Sequence, residues 1–291
     1  MAAENEIQLE APDRHAAEAL ARPAIDEVRR IEAKYSRYRA DSVVSLINAA
    51  AGDEPVVVDE ETLSLLAYAE ACWQQSDGLF DATSGVLRRA WRFTSGHVPS
   101  RKELDALLPL IGWQHVECDG NRVRLARRGM ELDFGGFGKE YAVDRAAAVL
   151  AAHGLESAMV NLAGDVAILG PHADGSPWAV GIRHPRRDDA VVATLPMSAG
   201  ALATSGDYER FMEVDGMRHC HVLDPRTGES ARGLRSVSVQ APSCLVAGSA
   251  STIAMLMGAA AGIAWLQALG LPYLCVREDG GVENGWPGTP P

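Results

Sequence analysis

From Arg14 to Arg39 the apolar positions Ala16, Leu20, Ile25, Val28, Ile31 and Tyr35 recur at helical spacing and predict a long amphipathic element. Pro23 inside it is expected to kink the helix or divide it in two. Glu60 to Gln75 predicts a second helix, with Leu63, Leu66, Ala67 and Ala71 on one face, and Ser100 with Glu103 forms a capping-box signature for a short helix through Leu108. The period then shortens. Gln114 to Cys118, Arg122 to Ala126 and Met130 to Phe134 alternate or run apolar and predict strands, separated by Asp119-Gly120 and Arg128-Gly129 turns. Lys139 to His153 returns to helical spacing and stops at Gly154.

Strands are then predicted at Ala158 to Leu162, Val166 to Leu169, Ala179 to Ile182, Val191 to Pro196 and Ala201 to Thr204. Phe211 to Val214 and His219 to Leu223 flank Asp215-Gly216, a hairpin signal. Strand Ser236 to Gln240, helices Leu245 to Met257 and Ile263 to Leu269, and strand Tyr273 to Arg277 close the chain. Helices and strands interleave without a regular βαβ repeat, which argues for an α+β fold of mostly antiparallel sheets and against a doubly wound one. No Pro-, Ser- or Gly-rich linker divides the chain, so residues 1–284 are expected to form one unit and 285–291, ending in Gly-Thr-Pro-Pro, a disordered tail.

Composition narrows the function classes. With 291 residues, 47% of them hydrophobic, the chain can build a large core. Its net charge of -12 argues against general nucleic-acid binding, so an anionic ligand would have to meet a local cationic site. The 5 cysteines are widely spaced with no Cys-x-x-Cys pair, which fits free thiols in a reducing cytoplasm better than a disulfide framework or a zinc knuckle. No stretch reaches the ~20 apolar residues of a membrane span.

Against this background residues 131–144, ELDFGGFGKEYAVD, carry the most chemistry. A strand-like run ends at Asp133, passes Gly135, Gly136 and Gly138, and enters a helix with Lys139 near its start. Glycines admit close backbone approach, and helix-terminal N–H groups with a Lys ammonium suit a phosphate. Glu140 follows where a Walker A loop would carry Ser or Thr, and no dinucleotide fingerprint is completed, so the pattern fits either an anion site or a plain glycine turn opening a helix.

Other polar clusters are equally open one by one: Gly78-Leu79-Phe80-Asp81, Asn161-Leu162-Ala163-Gly164-Asp165, Thr204-Ser205-Gly206-Asp207-Tyr208, and His219-Cys220-His221 leading into Asp224-Pro225-Arg226-Thr227-Gly228. The two His, placed on one strand face, lack a third ligand at metal spacing, and a single functional His is the better reading.

Together and in order, Tyr35-Ser36-Arg37-Tyr38, Gly78 to Asp81, Asp133 to Lys139, Val160 to Asp165, Thr204 to Tyr208 and His221 to Gly228 resemble the motifs of the ApbE family, the FAD:protein FMN transferases. The resemblance spans nearly the whole chain. It implies an ApbE/T-fold-like α+β architecture and a metal-assisted transfer of the FMN half of FAD to a Thr or Ser hydroxyl of an acceptor protein, with release of AMP. A metal-dependent FAD pyrophosphatase and a non-catalytic FAD-binding protein are the alternatives. By motif, Met1, Tyr38, Leu79, Phe80, Asp81, Asp133, Lys139 and Val222 are expected at the FAD. His221 is expected to activate the acceptor hydroxyl, and Thr252 with backbone carbonyls at Gly136 and Gly138 to reach Mg2+.

Two positions depart from the family pattern. Where the family carries a metal-binding Asp four residues before the Thr, this chain has Gly248, and where the family usually has Gly after the Lys, it has Glu140. Glu140 is therefore either a compensating carboxylate or a solvated first-turn Glu favoured by the helix dipole. Many family members also carry a leader before the motif-bearing region, so a cytoplasmic location is expected for the chain as written and a periplasmic or anchored one only if the true N-terminus is longer.

Overall fold

The computed structural model describes residues 5–94 and 96–286. Its centre is a seven-stranded sheet with every neighbouring pair antiparallel, in the order Asn5–Leu9, Ala158–Leu162, Asp165–Ile168, Gly200–Gly206, Leu234–Ala241, Tyr273–Arg277, Val282–Asn284. The inner strands are covered on both faces, so that Leu234–Ala241 buries Ser236 and Ser238 as well as Val237 and Val239. Ala201, Ala203, Tyr273 and Cys275 turn to a core shared with helices Arg14–Tyr35, Gly138–Ala152 and Cys244–Met257. Their neighbours Leu202, Leu274 and Val276 turn the other way, onto the hairpin Trp178–Arg183/Val191–Met197. A smaller core of Leu87, Ala90, Trp91, Leu104 and Met212 joins the helix Arg101–Leu107 to the hairpin Phe211–Val214/Met217–Cys220.

Several expectations are corrected. Arg14–Tyr35 runs as one helix across Pro23; Asp13 caps it by accepting from the Ala16 N–H at 2.9 Å, and burial of Ala24, Ile31 and Tyr35 outweighs the lost backbone bond. Met130 to Phe134 is no strand. Asn48 holds Leu132 instead, accepting its N–H at 2.6 Å and donating to its carbonyl at 2.9 Å. Strand Asn5–Leu9 and helix Val43–Ala49 were not anticipated. Within the segment expected as a tail, the Gly285 N–H bonds the Tyr273 carbonyl at 2.8 Å and the Trp286 indole donates to Gln240 Oε1 at 2.9 Å; residues 287–291 lie outside the described residues. Among the described residues no helix is long and apolar enough to cross a membrane.

Candidate functional site at the glycine loop

The glycine loop is held from below by aromatic rings. Phe134 and Phe137 pack at 4.9 Å between centroids, Tyr35 lies 5.4 Å from Phe134, and Phe80 lies 6.2 Å from Phe137. Asp133 accepts from the Gly135 N–H at 2.8 Å and pairs with Arg37, so its carboxylate fixes the turn. Gly136 runs over the Phe80 ring, where a Cβ would approach Cζ to 3.3 Å. The helix Gly138–Ala152 starts at Phe137 without a side-chain cap, leaving its first N–H groups to other partners.

Lys139 and Glu140 leave this first turn in different directions. Lys139 pairs with Asp165, which is 2% exposed and also accepts from the Thr204 N–H at 3.2 Å. The turn that aims Asp165 has Ala163 at φ 56° and Gly164 at φ 92°, with Asn161 Oδ1 accepting from the Gly164 N–H at 2.9 Å. Burial works to lower the Lys139 pKa, but Asp165 and then Glu140 outweigh it, and the ammonium is held charged. Glu140 is 7% exposed, which rules out the solvated first-turn reading. Its carboxyl pKa is pushed up to about 8 by burial and by nearby Asp165, against the pull of Lys139.

Thr252 sits one helical turn beyond Gly248 on Cys244–Met257, so the two share a face. Thr252 Oγ1 lies 2.8 Å from Ser205 Oγ, which is also 2.7 Å from Ser251 Oγ. Gly206 after Ser205 has no room for a side chain, because a Cβ there would run into the Tyr208 ring.

His221 does not share a strand face with His219. His219 is in the strand Met217–Cys220, buried and 5.4 Å from the Trp91 ring, while His221 follows the strand and is exposed, its N–H bonding the Arg210 carbonyl at 3.0 Å. The His221 ring is pushed down to about 4, by desolvation and then by Arg210, Lys139 and Arg37. Arg37 also donates to the Tyr38 hydroxyl at 3.0 Å, and Tyr38 is 79% exposed, its ring 5.0 Å from the guanidinium. The structure thus brings Lys139, Arg37, Arg210, Tyr38 and His221 together. Arg210 was missed in the sequence, where its only signal was its place two residues after the Thr204 to Tyr208 motif.

The other expected contacts lie deeper. Leu79 and Phe80 are buried, and Asp81 is spent on its own loop, accepting from the Thr83 N–H at 2.7 Å and the Trp113 N–H at 3.0 Å. Asp81 and Gly78 nevertheless line a cavity of about 270 Å³ that faces Pro225 and Arg226, so two of the motif loops share a wall. The Val222 carbonyl accepts from the Ala231 N–H at 2.9 Å, and Met1 lies outside the described residues.

Glu140 lies beside Asp165, and Thr252 follows Gly248 on the helix that Glu140 packs against, so the oxygens near this turn are of the hard type that magnesium takes. Glu140 Oε2 is buried without a hydrogen-bond partner, as expected of an oxygen placed for a cation. Among the described residues no group of three or more His, Cys, Asp or Glu is placed to hold a metal ion by itself.

The sequence profile of the ApbE family matches residues 1–275. The chain is 32% identical over 256 residues to the FAD:protein FMN transferase of Vibrio cholerae, covering 86% of this chain and 77% of that one. It is 34% identical over 245 residues to that of Treponema pallidum, covering 77% and 67%. The crystal structure of the ApbE protein from Thermotoga maritima superposes with a TM-score of 0.87 at 36% identity, covering 96% of this chain and 93% of that one. The flavin transferase ApbE from Vibrio cholerae gives 0.85 at 29%, covering 96% and 92%. Loop order, sheet topology and these likenesses agree, and the chain belongs to the ApbE family.

Proposed function

We infer that this chain is an FAD:protein FMN transferase, moving the FMN half of FAD onto a Thr or Ser hydroxyl of an acceptor protein. The observation that carries the reading is that Lys139, Arg37 and Arg210 all act on His221, the first two held in place by Asp165 and Asp133, on a protein of net charge -12. A pyrophosphate is the ligand such a local concentration of positive charge would select. Exposed Tyr38 offers a ring face beside it, and the cavity between Gly78 and Pro225 can take part of a flat ring system.

The reaction is an in-line displacement at the FMN phosphorus. The acceptor oxygen forms a new P–O bond, the anhydride P–O bond breaks, and AMP leaves with the bridging oxygen. His221 accepts the hydroxyl proton, for which its depressed basicity keeps the ring neutral, and the cations hold the pyrophosphate in place. Mg2+, for which Thr252 is the expected side-chain ligand, would neutralise charge that develops on the leaving group.

Incubation of the protein with FAD, Mg2+ and a Thr-bearing acceptor tests the reading. Flavin fluorescence that stays with the denatured acceptor supports transfer. Free FMN and AMP without labelled acceptor would assign hydrolysis instead, and intact bound FAD would leave a binding protein.

A further inference from the structure

The carboxyl of Glu140 and the missing side chain of Gly248 occupy one volume. A Cβ on Gly248 would lie 2.5 Å from Glu140 Cγ and 3.0 Å from Glu140 Oε1, so position 248 cannot carry a side chain while Glu140 stays where it is. Glu140 is more than nine-tenths buried, and its Oε2 has no hydrogen-bond partner among the described residues. A buried carboxyl oxygen without a donor is costly in its charged form unless a cation answers it, and otherwise the group takes up a proton. The surroundings supply further hard oxygens, from Asp165 and from Thr252 on the Gly248 face of the helix.

We propose that Glu140 is a metal ligand of this chain, its carboxylate presented from the helix Gly138–Ala152 into the space that a side chain at Gly248 would otherwise fill. The carboxylate has changed helices without leaving the site. The proposal rests on the flavin-transfer reading for the choice of a hard divalent cation, but it is tested without flavin.

Binding of Mn2+, which shares the oxygen preference of Mg2+, is measured by the loss of its free electron-paramagnetic signal, with and without ADP as the diphosphate. The full-length protein should take up one ion. Glu140→Gln, which keeps size and removes charge, should weaken uptake at least about tenfold while leaving the thermal midpoint unchanged or higher. Gly248→Asp alone should lower the midpoint, because it forces two side chains into one space. The double exchange Glu140→Gly with Gly248→Asp should recover both the midpoint and Mn2+ binding.

Unchanged Mn2+ affinity in Glu140→Gln, or no uptake by the parent protein in either condition, would overturn the assignment. Covalent flavin labelling by the parent protein alongside either result would leave transfer standing. Mn2+ bound through Glu140 in a protein that labels no acceptor would overturn transfer alone.

Discussion

His221 carries a proton only at acidic pH, and that sets the form of its chemistry. The unfolded chain titrates this ring near 6.5, whereas the folded one holds it down to about 4. The neutral ring is favoured by folding, so this contribution to stability is full above pH 6.5 and is lost as the pH falls toward 4. On the proposed mechanism, the same shift keeps His221 available as the base in weak acid. The acid limb of a kcat/KM profile, which reports the free enzyme, is expected below pH 6.5, and His221→Asn should lower transfer by roughly 10² to 10⁴ while FAD binding changes only a few-fold. An acid limb at or above 6.5 in the parent protein would remove His221 from the role of base.

Helices Gly138–Ala152 and Cys244–Met257 are fastened to each other at one point that matters for the site between them. Asp144 on the first accepts from the Cys244 N–H at 2.7 Å and the Leu245 N–H at 2.9 Å, capping the second with both carboxylate oxygens. Asp144→Ala removes both bonds and should cost about 2 kcal/mol, read as a lower denaturation midpoint; a change under ~0.5 kcal/mol would mean that Ser243 alone suffices as the cap. At this scale the sequence was legible wherever the signal was local. Glu60–Gln75 has the expected bounds, the Ser100 and Glu103 capping box is formed, and Asp215-Gly216 turns a hairpin with both residues at positive φ. It was illegible where a distant partner decides. Leu132 reads as strand because it is apolar and buried, yet its backbone bonds the Asn48 side chain, 84 positions away. Asn5–Leu9 is a half-exposed edge paired, among the described residues, with Ala158–Leu162, and five residues carry too little period to be seen. Arg37 and Arg210 read as ordinary surface cations until the fold sets them around one His.

As a whole, the molecule carries a net charge of -12, and its central antiparallel sheet joins strands from both ends of the described chain. The sheet is closed late. Trp286 packs with the second core and bonds Gln240 in the strand Leu234–Ala241, so the folded unit reaches at least that residue. Trp286→Ala is expected to lower stability by about 1–3 kcal/mol without altering the flavin affinity of the folded protein, a contrast that chemical denaturation and flavin titration would measure together. Loss of flavin affinity at full stability would place Trp286 in the site rather than under the sheet.

Glu140 and Gly248 have one more consequence, for how such a chain can change over generations. A lineage converting one arrangement into the other by single substitutions has two routes. One passes through Glu at 140 with Asp at 248, two side chains in a space where a Cβ already comes within 2.5 Å of its neighbour. The other passes through Gly at both positions, which fits sterically but supplies no carboxylate. Each intermediate is handicapped, the first in folding and the second in holding a cation, so the pair is expected to be inherited as a unit.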